Sequence, residues 1–187
     1  SGSQLEHRRQ IIRQRLSAQL RSERSSGACT ILSAEYISTM KPGDFTSLCD
    51  FFAEHGYAVT AVGYIRSPKS YMESAFQQRV QGGFNTFELS KVYPHYRYHF
   101  DKFDAILGRK RVHFWHFDPP SFAGGCVVQD FCRRLGIAFP PANVVRTNEG
   151  LSRPAVSLLF AYRRFGPEFG VGPTVIRENL LLAQRFL

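Results

Sequence analysis

A chain of 187 residues carrying a formal charge of +9 is long enough for one domain with a proper core. Its 43% hydrophobic and 21% charged residues fit a globular protein and exclude a disordered or fibrous one. No apolar run approaches the ~20 residues of a membrane span and no leader-peptide pattern opens the chain, so the expectation is a single cytoplasmic domain over residues 1–187. The four cysteines are scattered, with no C-x-x-C. That argues against zinc and against a disulfide framework; Cys29 and Cys49, in apolar stretches, read as buried reduced thiols.

In chain order, Leu5, Ile12, Leu16 and Leu20 recur at helical spacing within residues 4–22, which predicts an amphipathic helix. SERSSG (22–27) is a loop, and ACTILS (28–33) reads as a short buried strand ending at Ser33. Asp44 is placed to cap a helix running through His55 and closed by Gly56. Residues 57–65 form a second strand. Ser67 is a predicted N-cap and Pro68 suits the first helical position, with that helix running to about Val80 and ending in QGG. Val92, Tyr96, Phe100, Phe103 and Leu107 predict one helix over 90–107, stopped at Gly108. Residues 111–117 form a third strand and PPSFAGG a loop. A helix over 126–135 turns Val127, Val128, Phe131 and Leu135 inward and is closed by Gly136. Residues 138–149 are irregular. Ser152 caps a helix over 153–165, and a last helix covers about 174–186. Strands alternating with helices give an α/β class, a parallel sheet flanked by helices.

The chemistry concentrates between residues 57 and 78, YAVTAVGYIRSPKSYMESAFQQ. An apolar strand ends in Arg66, and Ser74 follows two turns into the next helix. In an open α/β sheet ligands sit at the carboxyl ends of strands. An arginine there offers a fixed fork of donors that matches phosphate geometry, and a helical serine adds a hydroxyl. This reads as a phosphate-binding pair, neither a metal site nor a nucleophile–base pair. Other polar residues read more plainly. Gln78 and Arg79 fit a solvated face before a substrate contact. Tyr93, His95, Tyr96, Tyr98 and His99 could stack on a glycan, although their helical spacing reads as core first. His113 and His116, with no companion His/Cys cluster, read as structural rather than metal ligands.

A strand ending in arginine with a serine eight positions on resembles the 3′-phosphate-binding element of sulfotransferases that use 3′-phosphoadenosine 5′-phosphosulfate (PAPS). ILSAEYIS (31–38) resembles the "LSSE" segment of the bacterial polysaccharide branch of that family. QQRVQGGF (77–84) resembles the stretch after the phosphate-binding helix, and VVQDFCRRLGI (127–137) and TNEGLS (147–152) resemble its late elements. The resemblance covers roughly residues 10–165.

The resemblance implies a P-loop-type sulfotransferase fold in which Arg66 and Ser74 hold the 3′-phosphate of PAPS. Glu35 takes the proton from the acceptor hydroxyl, a step such chemistry needs, with Ser33 nearby. Asn148, Glu149 and Ser152 lie in a late loop near the nucleotide. The donor is PAPS, the acceptor a carbohydrate hydroxyl, and no metal is required. One departure stands out. No G-x-x-x-x-G-K-[ST] run occurs, so the family's 5′-phosphosulfate-binding loop and the strand before it are expected to be missing, leaving unpaired sheet edges. The alternative is a non-catalytic relative acting as a nucleotide-binding or interaction module. Nucleic-acid binding rests on charge alone, with no helix-turn-helix, stacking-platform or zinc signature behind it, and is not expected.

Overall fold

The structure, a computed structural model, describes residues 2–24, 29–145 and 150–166. It is mostly helical, with two paired parallel strands, β1 (Ala61–Ile65) and β2 (Val112–His116). The helices are α1 (Gly2–Arg24), α2 (Pro42–Glu54), α3 (Pro68–Gln81), α4 (Leu89–Val92), α5 (Tyr96–Leu107), α6 (Val127–Arg134) and α7 (Arg153–Phe165). The predicted helix over 174–186 lies outside the described residues. The chain divides into two compact units, Ser1–Gly63 with His95–Phe114 and Tyr64–Pro94 with Trp115–Leu187, so the boundary falls within each strand.

The first unit is built on apolar packing. Leu20 of α1 is buried with Phe51 and Phe52 of α2, and Leu16, Leu48, Tyr57 and Val59 close around them. A second cluster joins Phe45 of α2 to Phe103 and Leu107 of α5. Phe45 and Phe103 meet edge-to-face at 4.8 Å, an arrangement that suits the quadrupoles of the two rings. Phe114 of β2 extends the cluster, 5.5 Å from Phe103 and 5.0 Å from Phe100. Hydrogen bonds tie the edges. The Tyr57 hydroxyl donates to the Leu20 carbonyl at 2.8 Å. Gly56 takes φ +78°, and a Cβ there would collide with the Arg24 guanidinium, which donates to the His55 carbonyl; glycine meets both demands.

The second unit buries charge as well as hydrocarbon. Val80 and Leu159, each almost wholly buried, belong to α3 and α7, and Phe76 stands 5.3 Å from both Phe87 and Phe160. Arg163 of α7 is buried and donates to the Gln81 carbonyl at 3.1 Å. Arg153 pairs with Glu73 at 3.2 Å on the surface.

Four sequence expectations are corrected. Within the run 28–33, the described residues 29–33 are not a strand; Ile31 and Leu32 are 47% and 49% exposed, and the run pairs with neither strand of the sheet. Strand propensity without a ladder partner does not make a strand. Cys29 is accordingly exposed and not a buried thiol, while Cys49 is half-buried. The helix expected over 90–107 is two helices, because Pro94 lacks the N–H and clashes with the preceding turn; His95 then takes φ +43° before α5 begins. Finally, α2 is capped at Lys41 with Pro42 at its start, and Asp44 lies in its first turn, where a carboxylate favours the helix dipole without capping it.

Candidate functional site

The segment from β1 into α3 forms as the sequence predicts at its centre. β1 stops at Ile65, and the Ser67 hydroxyl accepts from the Ser70 amide at 3.3 Å to cap α3, with Pro68 in the first turn. A proline there loses no hydrogen bond, since the first helical amides have no intrahelical acceptor. Arg66 occupies the step between strand and cap and is half-buried. Its guanidinium carbon lies 4.4 Å from the centre of the Phe117 ring, and the Phe117 amide donates to the Ile65 carbonyl at 2.8 Å. The strand ladder therefore places the ring on which the arginine rests. A guanidinium resting on a ring still presents its N–H fork edgewise. Ser74 lies two turns into α3, also half-buried. Arg79, further along, stacks over Phe84 at 4.1 Å.

The same unit holds a network centred on Asp130. Asp130 of α6 is 0% exposed. It accepts from the Tyr64 hydroxyl at 2.6 Å, from Arg133 Nη2 at 2.7 Å and from Arg134 Nε at 2.6 Å. A buried carboxylate needs this many donors to remain ionised. The hydrogen bonds from Arg134, Tyr64 and Arg133 hold its pKa well below the usual carboxylate range. Burial, and then the bond to Asp130, pushes the Tyr64 hydroxyl up to about 12. Arg134 also lies 5.0 Å over Trp115, and Tyr64 contacts Trp115, Phe117 and Phe122 at 5.4, 6.2 and 5.3 Å. The network thus anchors α6 to Tyr64, two residues before Arg66, and to the rings that include its support, Phe117. The signal was legible as Asp-x-x-Arg-Arg at helical spacing. The helical pattern had turned Val128 inward, whereas Val128 is exposed and α6 buries Asp130 and Cys132.

Glu35 belongs to the first unit. Its backbone opens a short 3-10 helix, Glu35–Thr39, and its side chain lies outside the described residues. Ser33 is exposed. Asn148 and Glu149 also lie outside the described residues, while Ser152 caps α7 by accepting from the Ala155 amide at 3.3 Å. Tyr98, expected in a core, is 80% exposed. Lys102, unremarked in the sequence, is buried, and its ammonium donates to the Ser38 and Met40 carbonyls at 2.5 and 2.6 Å; burial lowers its pKa.

Among the described residues no group of three or more His, Cys, Asp or Glu could hold a metal ion, and no helix is long and apolar enough to cross a membrane. Compared with family models, curated proteins and solved structures, the chain matches none.

Proposed function

We propose that this chain is a PAPS-dependent sulfotransferase domain of the P-loop type without the 5′-phosphosulfate-binding loop, transferring a sulfuryl group to a carbohydrate hydroxyl when that loop is supplied from elsewhere. The observation that carries the reading is the strand-end arginine. Arg66 leaves β1, rests on Phe117 and stands immediately before the capped N-terminus of α3. The guanidinium fork and the positive end of the helix both favour a phosphate there. Ser74, on the same helix, supplies a hydroxyl at the spacing that the resemblance calls for. In this reading Arg66 and Ser74 hold the 3′-phosphate of the donor nucleotide.

In the proposed reaction the acceptor oxygen attacks sulfur while the sulfur–oxygen bond to the 5′-phosphate breaks. Glu35 takes the acceptor proton, and adenosine 3′,5′-bisphosphate leaves. The role of Glu35 rests on the resemblance. Little covalent work falls to the protein, so positioning and charge stabilisation dominate, as in phosphoryl transfer. No residue of this chain is assigned to the 5′-phosphosulfate, because the sequence holds no glycine-rich Lys-Ser/Thr loop. That same observation favours the second reading, a non-catalytic relative that binds the nucleotide.

Calorimetric titration with adenosine 3′,5′-bisphosphate, paired with a sulfation assay, tests both. Binding that Arg66→Ala weakens by roughly 10- to 100-fold, equivalent to about 1.5–3 kcal/mol for a charge-assisted bidentate contact, supports the site. Turnover separates the enzyme from the silent relative. No heat from the bisphosphate in either protein would reject both readings.

A further inference from the structure

The first unit carries a half-open cavity lined in part by Tyr98, one of the rings whose type suits stacking on a glycan. It holds about 320 Å³ between residues 38–42 and one face of α5, the lower end of the range for small-ligand pockets. Met40, Pro42 and Ile106 supply apolar wall, and Tyr98, Asp101 and Lys102 supply the polar groups. Tyr98, Asp101 and Lys102 stand at helical spacing on α5, so one face presents all three.

Three features define what would fit. Tyr98 holds a large ring 80% exposed at the cavity. Such a ring offers a flat apolar platform with a polar tip. Asp101 is exposed and can accept from hydroxyls. Lys102 is 7% exposed, and two of its three N–H groups are engaged by the Ser38 and Met40 carbonyls. Its ammonium is therefore fixed in place, with one donor left for a ligand. Lys41 also lines the cavity, so with Asp101 and Lys102 the lining carries a small positive excess, compatible with a neutral or weakly acidic ligand. A neutral polyol with an apolar face satisfies every group at once: carbon–hydrogen face on the ring, hydroxyl protons toward Asp101, a hydroxyl oxygen toward Lys102.

We propose that this cavity is a saccharide-binding subsite. Choosing a carbohydrate rests in part on the sulfotransferase reading, since the cavity wall continues from the segment that carries Glu35. The occupant is a neutral or weakly acidic sugar unit of the acceptor chain, stacked on Tyr98.

The test is a 1H–15N correlation titration of the whole chain with maltose, cellobiose, N-acetyllactosamine and unsulfated chondroitin disaccharide, each to ~20 mM, a range that covers the weak end of specific affinity. At least one should give saturable shifts confined to the amides of residues 39–41 and 98–106. Tyr98→Ala should weaken that sugar at least about tenfold and Tyr98→Phe should keep it, with thermal unfolding unchanged in both because the side chain is exposed. Absence of shifts there with all four sugars, or equal binding by Tyr98→Ala, would overturn the proposal. Adenosine 3′,5′-bisphosphate added to the same sample keeps the two ideas apart. Shifts around Arg66 without any sugar response leave the nucleotide reading standing and reject the subsite. A sugar response with no nucleotide response does the reverse.

Discussion

The two units solve stability by different physics. In the first, aromatic and aliphatic side chains of α1, α2 and α5 pack into continuous clusters, and the one buried charge among the described residues there, Lys102, is held by the Ser38 and Met40 carbonyls. In the second, Asp130 and Arg163 are among the most deeply buried side chains, and a carboxylate with three donors fixes α6. Hydrocarbon packing is non-directional and indifferent to pH; a buried ionic network is directional and depends on protonation. The unit that depends on protonation is the one holding Arg66 and Ser74. Directional bonds fix a guanidinium's surroundings more tightly than apolar contact does.

Substitutions should separate the two. Phe103→Ala removes the ring shared by Phe45, Phe100 and Phe114 and should cost about 3–5 kcal/mol, visible as a lowered Tm that hardly changes between pH 5 and 9. Asp130→Ala strands Tyr64, Arg133 and Arg134 and should lower the Tm by several degrees. Hydrogen exchange should then report lost protection first in β2 and α6, with α2 still protected. Uniform loss in both units would show that they do not differ as described.

Acid and alkali sharpen the contrast without mutation. The folded pKa of Asp130 is depressed, so its contribution is present above the ordinary carboxylate value of ~3.9 and is lost as pH falls below it. Tyr64 is raised to about 12, so its contribution is full below ~10 and fades as pH climbs from there through 12. Fluorescence of Trp115, which lies in this network, should change at both limits in the wild type. In Asp130→Asn the acid change should largely disappear.

Smaller effects belong to single bonds. Lys102→Ala leaves two carbonyls without their donor and should cost about 1–3 kcal/mol, read by denaturant titration. Ser152→Ala removes the cap of α7 and should cost about 1 kcal/mol.

Much of this was legible in the sequence. The β1–Arg66–α3 segment was, because Ser67 and Pro68 mark a helix start by local chemistry alone, and α7 followed from Ser152 in the same way. What escaped depended on partners distant in sequence. Ile31 and Leu32 have strand composition but no ladder to join. Val92 and Tyr96 keep helical spacing across Pro94, so periodicity hid the break that the missing amide imposes. An acid on a helix is normally solvated; Asp-x-x-Arg-Arg supplies two of the donors to Asp130 locally, but the third, Tyr64, lies 66 positions away. Lys102 was missed for the same reason, its acceptors lying more than 60 residues earlier.

The most direct measurement follows the Arg66 side-chain Nε–H by nitrogen-15 resonance while adenosine 3′,5′-bisphosphate is added. A saturable shift of that resonance, weakened in Ser74→Ala, is the expected result, with the nucleotide affinity itself lowered in Arg66→Lys. A resonance unmoved at millimolar nucleotide, with Phe117 and the rest of the unit folded, would contradict the assignment of Arg66 and Ser74 as phosphate holders.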